Sequence, residues 1–292
     1  MYVSIITVNF RSRDHLKRMI ASVLKYTRDV EFEIIVVNND PIPLPPHLSE
    51  KGAGTSPRLG EEVRVRIVNN ATNLGFAAGC NQGIEIARGR YIVLLNPDIE
   101  LVDDSLSQLA RHLDHDTDVG IAGPRLLYPD GTPQRSVRRF PRLLDQILIL
   151  LKLPHLLTNL GPVNRYLHVD LDPSLTQDVD QVMGAYFVIR RELLNVIGLL
   201  DEGFFYWFEE VDYCRRALAV GWRVRYYADV KAQHIGGGSF SREKTIHKQA
   251  VIRRSLRRYA RKHWGWKAYL VLVFLDPAFR LLAVVAHAAK RR

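Results

Sequence analysis

An apolar run, Tyr91-Ile92-Val93-Leu94-Leu95, stops abruptly at Asn96-Pro97-Asp98, and no other stretch constrains the fold as tightly. Five apolar residues bounded by turn formers make a buried strand. Pro97 cannot donate to a sheet ladder, so the strand ends before it. Asp98 then sits just past the carboxyl end of a core strand, where open α/β sheets hold their ligands. A carboxylate fixed there suits a hard divalent cation carrying a phosphate. The plain alternative is a turn, because Asn, Pro and Asp all favour one.

The flanking sequence alternates strand and helix patterns. Val3 to Val8 reads as a strand, and Asp14 to Tyr26 as a helix with Leu16, Ile20, Val23 and Leu24 on one face. Glu33 to Val37 and Val63 to Val68 read as two more strands, separated by a Pro-, Gly- and Ser-rich loop over 41–62. Asn73-Leu74-Gly75-Phe76 turns into a helix running to about Arg88. This β-α-β order predicts a parallel sheet with right-handed crossovers. The second half is less regular. Val119 to Gly123, Gly184 to Ile189, Arg223 to Tyr227 and Val230 to Ile235 are strand-like. Pro129-Asp130-Gly131-Thr132 is a hairpin-type turn. Arg191 to Ile197 and Glu210 to Val220 are helical, and Leu143 to Leu157 is strongly apolar.

Charge is distributed unevenly. Residues 242–292 hold 14 Lys/Arg against 2 acids, whereas the 27 Lys/Arg elsewhere face 29 acids. A nucleic-acid enzyme would line its working groove with that charge; a neutral body with a basic tail points instead to an anionic surface beside the chemistry. Along the helix expected from Thr245 to His263, Ile252, Leu256, Tyr259 and His263 share one face, with Arg254, Arg257, Arg258 and Arg261 opposite. Such a helix suits an anionic membrane, with Trp264 and Trp266 at the interface. Tyr269 to Ala289 is apolar but carries Asp276, Pro277 and Arg280, which favours an in-plane anchor over a packed core helix or a span. The apolar tail is equally suited to a subunit contact. The strand-like N-terminus has neither a basic n-region nor a cleavage site, and the two distant cysteines, Cys80 and Cys214, fit a reduced compartment.

Two further constellations carry chemistry. In Phe204-Phe205-Tyr206-Trp207-Phe208-Glu209-Glu210-Val211-Asp212, five aromatics run into three acids. Acids favour a helix N-terminus, but that accounts for one or two of them. An aromatic wall that desolvates clustered carboxylates raises their pKa and makes better bases. The second is His234, which ends a strand before Gly236-Gly237-Gly238 and is a candidate metal ligand.

Taken in order, these pieces resemble the family two inverting nucleotide-sugar glycosyltransferases, over roughly residues 2–240, with bacterial rhamnosyltransferase-like members most similar. The matching segments are Ser4 to Asn9, Glu33 to Asp40, Asn73-Leu74-Gly75-Phe76 with Gly79 and Asn81, Leu95-Asn96-Pro97-Asp98, Gly184-Ala185, Gly198 to Arg215, and His234. The resemblance implies a GT-A fold: a Rossmann-like, mostly parallel sheet flanked by helices. Residues 1–100 would form the nucleotide-binding half, 101–240 the acceptor half, and 241–292 a basic amphipathic helical tail that associates with membrane. It also implies that Thr7, Asn9, Asn38, Asn73, Gly75, Asn81 and Asn96 hold the nucleotide. Asp98 would coordinate Mg²⁺ or Mn²⁺ on the diphosphate, with His234 as second ligand. Glu210 stands at the family's base position, with Glu209 or Asp212 able to share its role. Gly184, Ala185 and Trp207 would face the acceptor. Three positions depart from the family pattern: Asn38 and Glu210 each stand where Asp is usual, and Asn96 replaces the first acid of the metal motif.

The implied partners are a nucleotide-diphosphate sugar, with dTDP-L-rhamnose as one candidate, and a lipid-linked or polysaccharide acceptor of the cell envelope. The implied location is cytoplasmic, on the inner face of the membrane, and no nucleic acid is implied. A sugar nucleotidyltransferase on a similar sheet is the alternative; it needs an early glycine-rich phosphate loop, which residues 3–15 lack. A non-catalytic binding protein would rely on the basic tail alone.

Overall fold

The computed structural model describes residues 2–44, 64–157, 159–236 and 245–289; most of the 41–62 loop, and Gly237 and Gly238, lie outside them. The first half comprises β1 (Tyr2–Asn9), α1 (Arg13–Tyr26), β2 (Glu31–Asn38), β3 (Arg64–Asn69), α2 (Phe76–Ile86) and β4 (Tyr91–Leu95). Then come β5 (Ile99–Leu101), α3 (Ser105–His115), β6 (Val119–Leu127), β7 (Val137–Arg138), α4 (Leu143–Leu150), α5 (Gly161–Tyr166), β8 (Gln177–Asp178) and β9 (Gln181–Val182). The chain closes with β10 (Tyr186–Arg190), α6 (Arg191–Ile197), α7 (Glu209–Ala219), β11 (Arg223–His234), α8 (Thr245–His263) and α9 (Trp266–Ala289).

The main sheet runs β3-β2-β1-β4-β10-β6-β11-β5, with β8 beside β11. Its first four strands are parallel. β10 lies antiparallel between β4 and β6, and β11 returns parallel to β6. All five residues of β4 are buried, as a strand covered on both faces requires. Met19 and Val23 of α1 pack one face with Ile5, Ile34 and Val93; Cys80 and Ile84 of α2 pack the other with Ile6, Ile35 and Leu94. Cys80 and Cys214 are both buried free thiols.

Two strands read separately from sequence, at Arg223 to Tyr227 and Val230 to Ile235, are one 12-residue strand. Its register against β6 slips between Tyr227 and Lys231, and that irregularity breaks the sequence pattern.

The tail requires a correction. The face of α8 assigned from sequence to a bilayer is covered by the body: Leu256, Tyr259 and Ala260 are buried in a third core cluster with Leu150, Phe204, Phe208 and Val211. Leu272 and Phe279 of α9 join the same cluster. Asp276 is also consumed internally, accepting from Arg253 at 3.0 Å, Arg257 at 2.8 Å and Arg280 at 2.5 Å. Among the described residues, no helix is long and apolar enough to cross a membrane.

Candidate active site

The carboxyl ends of β1 and β4, the N-terminus of α7 and the end of β11 converge on one cleft of about 340 Å³. Its walls include Asn73, Gly75, Asn96, Asp98, Gly184, Ala185, Trp207, Glu209, Glu210 and His234, all named from sequence.

The Asp98–His234 pair is built by register. β5 pairs antiparallel with β11, setting His234 opposite Ile99, and the Ile235 amide donates to the Asp98 carbonyl at 2.9 Å. His234 Nε2 therefore lies 3.5 Å from Asp98 Oδ1. On the far side of the ring, His234 Nδ1 donates to Gln134 Oε1 at 2.6 Å. That bond orients the ring and turns Nε2 toward Asp98, as metal-ligating histidines are held. Among the described residues no group of three or more Asp, Glu, His or Cys could hold a metal. One carboxylate oxygen and one imidazole nitrogen nevertheless fit Mg²⁺ or Mn²⁺, with phosphate oxygens and waters completing the shell.

Glu209 and Glu210 open α7 beneath the aromatic segment 204–208, in which Trp207 and Phe208 take positive φ values of 64° and 74°. Burial pushes both carboxyls up, and each has an Oε2 with no hydrogen-bond partner among the described residues. Glu209 is driven well above the ordinary range by burial and then by the charge of Glu210. For Glu210, the upward push of burial is opposed by backbone hydrogen bonding and by the charge of Arg138. Gly184 lies against it: a Cβ there would stand in ordinary contact with the Glu210 Cβ at 3.4 Å.

The wall of the cleft at the end of β2 is a lattice of asparagines. Asn39 Nδ2 donates to Asn73 Oδ1 at 3.2 Å and to the Gly75 carbonyl at 3.0 Å. Gly75 has φ 93°, and a Cβ on it would lie 2.6 Å from the Phe205 carbonyl oxygen, which accepts from the Phe76 amide. Gly75→Ala is expected to cost about 1–3 kcal/mol of stability and to weaken nucleotide binding, checked by thermal melts with and without nucleotide.

Several predicted residues do not line the cleft. Thr7 and Asn9 flank the cleft residue Val8 on β1, and alternation sends them to the other face. Asn38 is spent on Asn9, Asn69 and backbone carbonyls; its neighbour Asn39 reaches the cleft instead. Asn81 donates to the Leu200 carbonyl and to Glu202. Asp212, two positions beyond Glu210, is carried to another face of α7 and accepts from His263 at 2.7 Å and Arg216 at 3.0 Å, with Lys262 2.7 Å away. It is tied structurally to the tail and is not placed to act as base. Phe10, Ser12 and Arg138 are cleft residues that the sequence reading overlooked, and Asn39 was passed over for its neighbour Asn38. Only the Arg-rich run 135–142 offered a signal for any of them.

Burial alone would raise the Asp212 carboxyl, but His263, Lys262 and Arg216 override it and hold it at about 2. A depressed carboxyl stabilises the fold above its unfolded pKa and loses that contribution as pH falls through the folded one. Wild type should therefore melt progressively earlier between about pH 5 and pH 2; Asp212→Asn should show a shallower dependence there.

A carboxylate–imidazole pair at a sheet edge, sharing one cleft with buried carboxylates on this sheet order, is the arrangement of a GT-A-type transferase fold. The chain belongs to glycosyl transferase family 2, whose model matches residues 4–198. It is 23% identical over 273 residues to an N-acetylglucosaminyl-diphospho-decaprenol L-rhamnosyltransferase of Mycobacterium tuberculosis, covering 90% of this chain and 85% of that one. It is 26% identical to an uncharacterized Sinorhizobium fredii protein, covering 94% of this chain but only 28% of that protein's length. A Pyrobaculum calidifontis mannosyltransferase in complex with GDP-Man and Mn²⁺ superposes with a TM-score of 0.57 at 16% identity, over 99% of this chain and 74% of that one.

Proposed function

We propose that this glycosyltransferase is a metal-dependent inverting enzyme that moves a sugar, with L-rhamnose from dTDP-rhamnose the leading candidate, to a hydroxyl of a lipid-linked or polysaccharide acceptor in cell-envelope glycan synthesis. The observation that carries it is the meeting, in one cleft, of the Asp98–His234 pair and the Glu210 carboxylate. The Mycobacterium tuberculosis relative, by its name a rhamnosyltransferase acting on a diphospho-decaprenol sugar, supports the choice of donor and acceptor.

A bound Mg²⁺ or Mn²⁺ would offset charge developing on the leaving diphosphate. Asp98 and His234 would hold it, with Gln134 orienting the ring. Asn39, Asn73, Gly75 and Asn96 shape the nucleotide side. Gly184, Ala185 and Trp207 frame the acceptor. Glu210 takes the proton of the attacking hydroxyl from the face opposite the leaving group, so one displacement inverts the anomeric carbon.

The reading includes attachment to the inner face of the membrane, now through α9. Trp266, Leu270, Val273, Phe274, Leu281 and Val284 form an exposed row along that helix, with Phe274 83% exposed. Arg261 stacks over Trp266 at 4.7 Å and Arg280 is exposed beside the row, so apolar and cationic groups face outward together. Phe274→Asp should release the protein from anionic vesicles in a flotation assay without changing its melting temperature.

The test of the reaction is product release. With the right nucleotide sugar and Mn²⁺, a nucleoside diphosphate should accumulate in an acceptor-dependent manner, and EDTA should stop it. Pyrophosphate release would instead support the nucleotidyltransferase alternative.

A further inference from the structure

The cleft holds one charge that the transfer step does not consume. Arg138 ends β7, where pairing with Gln181 of β9 fixes its backbone beside the acceptor wall. Its guanidinium lies over the Tyr166 ring, 5.6 Å from the centroid, and Nη1 donates to the Tyr166 hydroxyl at 3.4 Å. Other arginines near it are paired: Arg139 with Asp170 at 2.6 Å, and Arg165 with Asp145 at 2.6 Å. Among the described residues Arg138 forms no ion pair, although it is walled into the cleft. A guanidinium carries five N–H donors, so most of its capacity is left for whatever enters. Arg138 feels the charge of Glu210 within the cleft but makes no ion pair with it, so its donors remain available to an anionic group of the substrate.

The side of the cleft decides which anion. The donor's diphosphate belongs with Asp98 and His234. Arg138 instead acts on Glu210, the carboxylate whose charge it feels, and Glu210 lies against Gly184. A group beside the base is beside the attacking hydroxyl, not beside the leaving group.

We propose that Arg138 binds a phosphate or diphosphate on the acceptor, so that the acceptor is a sugar joined to its lipid through a phosphate linkage. Planar bidentate pairing with phosphate oxygens is what a guanidinium does best. The proposal rests on the assignment of Glu210 to the acceptor side, and Arg138 thereby also selects against uncharged glycan acceptors.

The test uses the full chain saturated with Mn²⁺ and its tightest-binding nucleoside diphosphate, so that the donor side is filled. Farnesyl diphosphate is then titrated against farnesol, following intrinsic tryptophan fluorescence, to which the cleft residue Trp207 contributes as one of four tryptophans. Wild type should bind the diphosphate at least tenfold more tightly than farnesol. Arg138→Gln should lose that preference, Arg138→Lys should keep part of it, and both should bind the nucleoside diphosphate as wild type does. That last result also certifies the variants as folded. Equal weakening of nucleotide and lipid diphosphate in Arg138→Gln would move the residue to the donor side and overturn the proposal. So would an undiminished preference in Arg138→Gln, or no preference in wild type. Failure of every nucleotide to bind wild type would count against the donor reading, and the farnesyl titration would then be run without nucleotide.

Discussion

Glu210→Gln should lower kcat by about a thousandfold, within the 10²–10⁴ range that a positioned general base supplies. Glu209→Gln should cost far less. The two carboxyls are adjacent in sequence but differ in surroundings. Burial and the Glu210 charge push the Glu209 carboxyl well above its ordinary range, so an amide of the same shape replaces it at little loss. Glu210 alone has the guanidinium of Arg138 to favour its ionised form, and its Oε2 lacks a partner among the described residues. Because burial raises Glu210, kcat/KM should climb with pH through a point above the ordinary carboxylate value of about 4.3. Arg138→Gln should move that limb higher still. Steady-state kinetics across pH on the three variants checks this, and equal losses in Glu209→Gln and Glu210→Gln would mean that the pair acts as one unit.

Removal of residues 245–292 should abolish activity rather than merely free the enzyme from a membrane. The aromatic segment that precedes Glu209 and Glu210 is packed from the tail side. Ser255 Oγ donates to the Tyr206 carbonyl at 2.8 Å, and Arg258 lies 5.5 Å from the Phe204 ring centroid. Trp207 and Phe208 sit in left-handed backbone conformations that cost about 1–2 kcal/mol each, so the segment keeps its shape only while it is packed. Truncation would expose Phe204, Phe208 and Val211 together. A gentler version is Leu256→Ala, which deletes a buried side chain for about 2–5 kcal/mol and should lower both melting temperature and kcat. If the truncated protein folds and turns over as the full chain does, the tail is an accessory and the packing argument is wrong.

What the sequence disclosed, and what it did not, follows from interaction range. The strand at Tyr91–Leu95 and its stop at Pro97 were legible because burial and a missing donor act locally. So was the helix at Arg191–Ile197, closed by Gly198 at φ 74°. The Asp98–His234 partnership was legible only through resemblance. β5, which delivers it, has three residues, too few to show a period. The choice of Asn39 over Asn38 depends on where β2 leaves the sheet, which composition does not record. Gln134 comes from the turn after β6, where its amide donates to the Leu126 carbonyl, and no residue pattern announces that its side chain will hold His234. The apolar face of α8 was misassigned for a definite reason. An amphipathic face looks the same whether a bilayer or a protein covers it, and the cover here comes from Phe204, Phe208 and Val211, some fifty residues earlier.

The most direct trial of a cation-held donor facing a separate base is calorimetric titration of nucleotide sugars into wild type, Asp98→Ala and Glu210→Gln, with Mn²⁺ or with EDTA. The expected result is one nucleotide sugar that binds in Mn²⁺ and at least tenfold more weakly in EDTA or in Asp98→Ala, while Glu210→Gln binds it as wild type does. Binding indifferent to both Mn²⁺ and Asp98 would contradict the account.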